Sequence, residues 1–394
     1  MMALGYPATS QDYRRLANAR LPRFLSDYVE GGAGDEQTLR ANEAAWAGVV
    51  LRQRVLVDVD GVDTTTTLGG QACTMPLVLA PLGLAGMLAR RGEVQAARAA
   101  EAAGVPFTLS TVGICPLHEV QHGLARPAWF QLYMLRDRGI VQALLQGAWE
   151  AGCRTLVFTV DLPLPGPRHR DTRNGLGAGS VRARMLKAID LLSHPRWMLE
   201  VGVGGKPHVF GSLAGQLPGA RDLDAFKAWV DTQFDPSVTW ADIDWLRAQW
   251  PGTLVLKGIL DSDDARAAVA CGAQGLVVSN HGGRQLDGAA ASATKLPAIA
   301  RVVGARAKVL VDGGIRSGVD VLRALALGAN GVLVGRPWAW ALAAGGERAL
   351  AAMLARWQQE LGLAMALAGV RRVADIDAGI LDIPPQTGSG SSNA

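Results

Sequence analysis

Residues 275 to 285 read Gly-Leu-Val-Val-Ser-Asn-His-Gly-Gly-Arg-Gln. An apolar run of four residues is followed at once by His281 and Arg284, among glycines that allow the backbone to turn sharply. The chain has six histidines, and His281 is the one in this glycine-flanked position just past an apolar run. A lone histidine beside a strand is often a structural residue, so the wider pattern must decide between a structural and a catalytic role.

Eight short runs of this kind recur along the chain, each rich in Val, Leu or Phe and closed by a polar residue, Gly or Pro. They are Leu77 to Ala80, Pro106 to Leu109, Trp129 to Leu132, Thr155 to Val160, Leu254 to Leu256, Leu276 to Val278, Val309 to Val311 and Val332 to Val334. Ala-rich amphipathic stretches such as Glu93 to Ala103, Ala265 to Ala270 and Val319 to Leu327 lie between most of them and suit crossover helices. Continuous apolar runs are typical of parallel strands buried on both faces. The alternation predicts an α/β fold, a (β/α)₈ TIM barrel with its active site at the carboxyl ends of the strands.

Length and composition agree with a globular barrel. The chain has 394 residues, of which 49% are hydrophobic and 19% charged, so we expect one domain over residues 1–383 and a disordered tail over 384–394. The net charge is only +4 with dispersed basic residues, which does not favour nucleic-acid binding. No signal peptide is expected, because charged residues interrupt the first twenty positions. The uncharged stretch from Thr64 to Ala89 contains prolines and glycines and makes a poor membrane helix.

Neither a metal site nor a disulfide is expected. The four cysteines show no C-x-x-C pairing and no histidine at metal-ligand spacing; they are Cys73, Cys115, Cys153 and Cys271. We interpret them as small buried hydrophobic residues of a protein in a reducing cytoplasm.

A phosphate site is predicted after the last two strands. Asp312-Gly313-Gly314-Ile315-Arg316 follows the seventh run and Gly335-Arg336 follows the eighth, where barrels often bind phosphate through backbone N–H groups. Two arginines can clamp the anion. The alternative is ordinary glycine-rich barrel loops. No dinucleotide fingerprint after a strand and no P-loop motif occurs, which leaves a mononucleotide phosphate.

These motifs resemble the FMN-dependent L-2-hydroxy acid dehydrogenase and oxidase family, over about residues 12 to 381. Within the family, four stretches are similar to the bacterial respiratory L-lactate dehydrogenase branch: Arg52 to Arg54, Ala89 to Ala97, Trp129 to Tyr133 and Phe234 to Ser237. The mandelate dehydrogenase branch is next, through the segment His194 to Trp197. The resemblance implies oxidation of L-lactate to pyruvate with electrons passed through a quinone to the respiratory chain, and it suggests a homotetramer. Oxidation of L-mandelate or glycolate, electron transfer to oxygen, and a barrel that binds a phosphate ligand without redox chemistry remain alternatives.

The resemblance also implies roles for individual residues. His281 is expected to be the catalytic base oriented by Asp161, with Tyr133 on the substrate hydroxyl. The substrate carboxylate is expected at Arg284, with Tyr28 and Arg168 as further donors. The predicted FMN-binding residues are Ala80, Pro81, Leu82, Ser110, Gln131, Thr159, Lys257, Ser279, Asp312, Gly313, Gly314, Arg316, Gly335 and Arg336. Lys257 is expected to stabilise negative charge on the reduced flavin. Whether the α-hydrogen leaves as a proton or a hydride stays open.

A long insertion interrupts the rhythm between Asp161 and Leu254 and is expected over about residues 165–250, as a lid or a membrane-contact segment. Within it, Val181 to Trp197 mixes Arg182, Arg184 and Lys187 with apolar residues. Such a stretch can lie in an anionic membrane interface, and the alternatives are a helix packed on the barrel or a subunit contact. The family resemblance favours peripheral attachment at the cytoplasmic side of the inner membrane, or otherwise a cytoplasmic enzyme.

Overall fold

The computed structural model describes residues 7–174, 181–216 and 232–382. The tail predicted to be disordered, 384–394, lies outside the described residues, as do two parts of the insertion.

Eight parallel strands form the predicted barrel. They are β3 (Leu77–Leu79), β4 (Thr108–Ser110), β5 (Trp129–Leu132), β6 (Thr155–Thr159), β7 (Thr253–Ile259), β8 (Gly275–Val278), β9 (Lys308–Val311) and β10 (Gly331–Val334). Each strand from β4 to β9 pairs in parallel with the next strand along the chain, and β10 also pairs in parallel with β3. A parallel bridge between Leu79 and Phe107 joins β3 to the start of β4 and closes the ring. The (β/α)₈ prediction is confirmed, with the long insertion after the fourth barrel strand, β6.

Alternation along the strands separates two apolar layers, because successive side chains of a strand point to opposite faces. One set fills the barrel interior: Val78, Trp129, Val157, Val255, Val277, Leu310 and Leu333, together with Leu68, Cys73 and Ala80. Residues one position away, such as Leu156, Leu254 and Leu276, face the surrounding helices instead. The hairpin β1 (Thr66–Leu68) and β2 (Gln71–Cys73) supplies Leu68 and Cys73 to the interior cluster.

The helices fill the positions that the sequence predicts. Those of the barrel and its two ends are Ser10–Arg20, Arg23–Glu30, Gln37–Ala47, Ala85–Leu88, Gly92–Ala102, Leu117–Gln121, Arg138–Glu150, Ser262–Ala270, Ser292–Val303, Gly318–Ala326 and Arg336–Leu367. The three predicted crossover helices are present, and their ends differ from the predicted ones by at most three residues. The last helix contains two non-helical residues, Gly345 and Gly346, which break it into two segments.

The insertion contains the helices His169–Asn174, Val181–Leu192, Pro195–Trp197 and Trp240–Gln249, a π-helical turn Met198–Val203 and a 3₁₀ turn Gly211–Gln216. Trp197 belongs to the stretch considered for a membrane interface, and the structure buries it as the alternative of a helix packed on the barrel predicts. Its ring is buried edge-on against Phe24, and its indole N–H donates to the carbonyl of Met87 at 2.8 Å. The side chains of Arg182, Arg184 and Lys187 lie outside the described residues.

Two smaller observations concern the cysteines and the membrane. Cys73, Cys115 and Cys153 are buried as expected, whereas Cys271 is half-buried at the end of its helix. Among the described residues, no helix is both long and apolar enough to cross a bilayer.

Candidate active site

A polar layer covers the carboxyl end of the barrel interior, and strand alternation places it there. Two positions past its inward-facing residue, which is Thr108 in β4 and apolar in the other seven strands, each barrel strand or the residue just beyond it contributes one member, and six of the eight members are polar. The eight members are Ala80, Ser110, Gln131, Thr159, Lys257, Ser279, Asp312 and Gly335. Every one of them is a predicted FMN-binding residue, and the structure brings them all to one end of the barrel.

Three members of this layer form a hydrogen-bonded chain across neighbouring strands. The hydroxyl of Ser110 donates to the Gln131 side-chain oxygen at 3.0 Å, and the Gln131 amide donates to the Thr159 hydroxyl at 3.0 Å. All three side chains are buried, so these bonds fix which amide atom of Gln131 faces each neighbour.

Lys257 is a buried cation with two close partners. Its ammonium group lies 3.0 Å from Asp312 Oδ2 and donates to the Ser279 hydroxyl at 3.0 Å. Burial alone would lower the pKa of Lys257, but the carboxylates of Asp312 and Asp161 outweigh it and hold the pKa above its usual value. The lysine is therefore charged where the barrel interior opens into the cavity. It lies within β7 and not at its end as expected, since that strand continues to Ile259.

His281 and Asp161 form the predicted pair. Nδ1 of His281 lies 2.8 Å from Asp161 Oδ1, and the backbone N–H of His281 donates to the Ser279 hydroxyl at 3.0 Å. Burial would raise the pKa of Asp161, but His281 and Lys257 together hold it below its usual range. The carboxylate is therefore ionised and orients the imidazole.

Two unusual backbone positions build this pair. His281 has a φ of +57°, a left-handed conformation that is uncommon outside glycine and indicates a locally enforced geometry. Gly258 has a φ of +117°, and a Cβ there would lie 2.6 Å from Asp161 Cβ. Only glycine lets β7 pass so close to Asp161, a requirement that sequence reasoning missed.

The three predicted carboxylate-binding residues meet on the other side of the cavity. Arg284 Nη1 donates to the carbonyls of Tyr28 at 2.7 Å and Gly31 at 2.9 Å, and its guanidinium lies 4.9 Å from the Tyr28 ring centroid. Arg168 lies 5.8 Å from the same ring and 3.4 Å from Asp171. Burial, together with the nearby Arg168, lowers the pKa of Arg284.

Tyr133 lies between this cluster and the insertion. Its ring packs edge-on against Phe234 at 5.3 Å. Burial and the charge of Asp161 raise the pKa of Tyr133, so its hydroxyl stays protonated and can donate a hydrogen bond.

The predicted phosphate loops line the same cavity. Gly313 and Gly314 both have positive φ, and a Cβ at Gly314 would lie 2.3 Å from the Asn42 carbonyl oxygen. These two glycines are thus required by close packing against helix Gln37–Ala47, a reason that differs from the expected approach to phosphate. At Gly335 a Cβ would have no atom within 4 Å, so the backbone borders open space.

The two arginines of these loops are held by different partners. Arg336 donates to the carbonyls of Val29, Gly31 and Gly282 at 2.9 to 3.0 Å, which occupies three of its five N–H groups. Arg316 Nη2 donates to Glu43 at 2.7 Å, while its buried Nε has no hydrogen-bond partner. Burial and the neighbouring Arg284 and Arg316 lower the pKa of Arg336 to about 9.

One cavity is lined by His281, Lys257, the carboxylate-binding cluster and the two phosphate loops, and its charge is unbalanced. Five of the described residues that line it are cationic: Arg168, Lys257, Arg284, Arg316 and Arg336. Asp312 is the one acidic residue among the described residues of that lining. Buried cations that lower one another's pKa are stabilised by bound anions. The cavity therefore suits an anionic cofactor together with an anionic substrate.

The family model of FMN-dependent dehydrogenases matches residues 17–383. The chain belongs to the FMN-dependent dehydrogenase family. It is 53% identical over 374 residues to an L-lactate dehydrogenase of Caulobacter vibrioides (strain NA1000 / CB15N), covering 95% of this chain and 97% of that one. It is 50% identical over 370 residues to an L-lactate dehydrogenase of Yersinia pestis (strain Pestoides F), covering 94% and 97%.

Solved structures agree with the family. The monotopic membrane protein (S)-mandelate dehydrogenase superposes with a TM-score of 0.89 at 34% identity, covering 95% of this chain and 99% of that one. A mandelate oxidase with (S)-4-hydroxymandelic acid gives a TM-score of 0.80 at 39% identity, covering 93% and 97%. The chain is an FMN-dependent 2-hydroxy acid dehydrogenase, and FMN is its cofactor.

The residues present fit FMN. The partnerless buried Nε of Arg316 and the open backbone at Gly335 suit a phosphate, and the charged Lys257 lies in the polar layer next to Thr159, which accepts from the Gln131 amide. Sequence reasoning missed several lining residues: Val29, Val112, Leu162, Phe210, Phe234 and Ile315. Val29 lies on an N-terminal helix and two of the others on the insertion, so only the folded chain brings them to the site.

Proposed function

We propose that this dehydrogenase oxidises L-lactate to pyruvate and passes the electrons to a quinone of the respiratory chain. About 50% identity to L-lactate dehydrogenases along nearly the whole chain supports the substrate. The observation that carries the proposal is the 2.8 Å pair of His281 and Asp161, whose histidine lines one cavity together with the carboxylate-binding cluster around Arg284. A base, its orienting carboxylate and an arginine fork are what a 2-hydroxy acid requires.

FMN supplies the two-electron acceptor when bound. Arg316, Arg336 and the backbone of Gly313, Gly314 and Gly335 would hold its phosphate. The polar layer would hold the flavin ring through Ser110, Gln131, Thr159, Lys257, Ser279 and Asp312, with Ala80, Pro81 and Leu82 beside it. Lys257, Asp312, Ala80, Pro81 and Leu82 line the cavity itself. Lys257 is charged and buried, so it offers a fixed positive charge to a ring that becomes negative on reduction.

The substrate is bound and deprotonated by side chains. Arg284, with Arg168 and Tyr28, would bind the carboxylate, and Tyr133 would donate to the substrate oxygen. His281 accepts a proton at Nε2, because Nδ1 faces Asp161. The ionised carboxylate of Asp161 then stabilises the imidazolium, which keeps the proton away from the product.

Anaerobic reduction of the flavin tests this proposal. The purified holoenzyme is mixed in a stopped-flow instrument with L-lactate, D-lactate, (S)-mandelate or glycolate, and the flavin absorbance is followed. We expect fast bleaching by L-lactate and none by D-lactate. A protein reduced by none of the four acids, or best reduced by (S)-mandelate or glycolate, would refute the choice of lactate. The family match argues against the non-redox barrel.

The mandelate alternative has an observation of its own. The fold superposes closely on a mandelate dehydrogenase and on mandelate oxidases. The substrate series above decides between the two acids, because it measures both in the same protein.

We also propose peripheral attachment to the cytoplasmic side of the inner membrane, as a homotetramer. Support comes from the monotopic relative and from one helix face of the insertion, where Met185, Ile189 and Leu192 are 58%, 57% and 73% exposed. Replacing these three with Gln should release the enzyme from vesicles containing anionic lipid while lactate-driven dye reduction persists. The control replaces Leu363 and Leu367, exposed on another helix, with Gln. Equal vesicle binding by both variants would refute the assignment of this face.

A further inference from the structure

Two phenylalanines of the insertion stand beside the proposed substrate position. Phe210 and Phe234 both line the cavity that holds His281, Tyr133 and Arg284. Neither belongs to a barrel strand, and the short motifs of the barrel give no signal for them. Their placement therefore depends on how the insertion is attached to the barrel.

Phe234 is attached to the end of β5. An antiparallel bridge joins it to Leu135, and the backbone N–H of Asp235 donates to the Met134 carbonyl at 3.2 Å. The Asp235 carboxylate then binds Arg138 at 2.8 Å. With its backbone held on both sides, the Phe234 ring keeps its edge-on contact with Tyr133.

Phe210 is attached to the loop after β4. The backbone N–H of Gly211 donates to the Gly113 carbonyl at 2.9 Å, and a Cβ at Gly211 would lie 2.3 Å from the backbone nitrogen of Pro116. Phe210 is only 4% exposed, and Leu213 behind it is fully buried. The Gly211 bond holds this segment against the barrel, and the Phe210 ring is buried there.

We propose that Phe210 and Phe234 form a rigid wall that limits the size of the substituent at C2 of the acid, so that the enzyme prefers short aliphatic 2-hydroxy acids to aryl ones. This inference rests on the proposed function, and it names what sets the choice of substrate at that site. On this proposal a methyl group fits beside the two rings, whereas a phenyl group requires one of the rings to move. Val112 and Leu162 extend the same apolar lining.

The test measures how activity falls with substituent size. Wild type, Phe210→Ala, Phe234→Ala, Phe210→Leu and Phe234→Leu are compared on L-lactate, L-2-hydroxybutyrate and (S)-mandelate, with kcat/KM and flavin content measured for each. The kcat/KM of wild type should fall along this series. Each Ala variant should raise the mandelate-to-lactate ratio of kcat/KM at least tenfold, and the Leu variants should lie between. Leu164→Ala, an exposed loop residue 66% accessible, is the control and should leave the ratio unchanged.

The outcomes separate this inference from the proposed function. Failure of wild type to be reduced by L-lactate refutes the function. If L-lactate reduces the wild-type flavin while the Ala variants keep the wild-type mandelate-to-lactate ratio of kcat/KM, the proposed wall is refuted and the proposed function stands. A drop in mandelate activity in the Ala variants would show that the rings bind an aryl group and do not exclude it, which also overturns the inference. If an Ala variant loses FMN, the mandelate-to-lactate ratio is taken from the Leu variants instead, because leucine keeps most of the volume of the ring.

Discussion

Asp161→Asn removes one charge from the buried pair with His281 and leaves its shape almost intact. The wild-type contact is 2.8 Å between Nδ1 and a carboxylate oxygen, and the carboxylate becomes most important when the imidazole gains a proton. A hydrogen bond to a charged group contributes about 1.5 to 3 kcal/mol. Because each 1.4 kcal/mol is about a factor of ten, we expect flavin reduction by L-lactate to slow about 10- to 150-fold.

Gly258→Ala tests the same pair through geometry and keeps the charge. The new Cβ would lie 2.6 Å from Asp161 Cβ and 2.7 Å from its Cγ, so the carboxylate must move away from His281. The φ of +117° also strains any L-residue there. Gly272→Ala is the matched control, since Gly272 has a φ of +78° but no atom within 4 Å of the added Cβ.

Single-turnover reduction under anaerobic conditions, with flavin content and Tm measured in parallel, separates the effects. We expect Gly272→Ala to lose stability and keep the rate, whereas Gly258→Ala slows reduction by a factor similar to that of Asp161→Asn. Near wild-type reduction by Asp161→Asn would refute the orienting role of Asp161. Equal rates of flavin reduction in the two glycine variants would refute the inference that a Cβ at position 258 displaces the Asp161 carboxylate.

Three further variants test other parts of the site. His281→Gln should retain FMN and slow flavin reduction by about 10²- to 10⁴-fold, the usual effect of losing a general base; near-normal single-turnover reduction would remove His281 from that role. Arg284→Lys should raise KM for L-lactate and lower the reduction rate, since an ammonium group cannot reproduce the guanidinium fork; unchanged kinetic constants would contradict this. Arg336→Lys should weaken FMN retention, measured by flavin fluorescence released on dilution, and unaltered retention would exclude Arg336 from the phosphate site. The pKa of Asp161 lies below its usual value of about 3.9, so its ionised form stabilises the fold above that pH and the contribution is lost as the pH falls through the lower, folded-state value. The Tm of wild type should therefore drop more steeply below pH 4 than that of Asp161→Asn. Parallel curves of Tm against pH for the two proteins would contradict this prediction.

Sequence reasoning reached the barrel because each strand is a continuous apolar run with a chemically distinct residue after it. Lys257 and Asp161 could be found this way, since each follows apolar residues of its own strand. Trp197 could not, because a tryptophan in an amphipathic stretch has the same pattern whether it meets lipid or a neighbouring helix. Its burial against Phe24 is a tertiary contact between segments more than 150 residues apart.

The period of two also explains why the residues at the carboxyl end of the barrel were easier to predict than those that close the cavity above it. One face of each strand carries an interior residue, apolar in every barrel strand except β4, and, two positions later, a member of the polar layer, as Val157 precedes Thr159 and Val255 precedes Lys257. Two positions further on, Asp161 comes from a loop and no longer from a strand. Beyond the carboxyl ends of the strands, the strand period of two no longer determines where side chains lie. There, hydrogen bonds between distant segments, such as that of Gly211 to Gly113, determine which side chains close the cavity. Substitutions that alter substrate choice should therefore concentrate in the insertion, and those that release FMN should concentrate in the polar layer and the loops after β9 and β10.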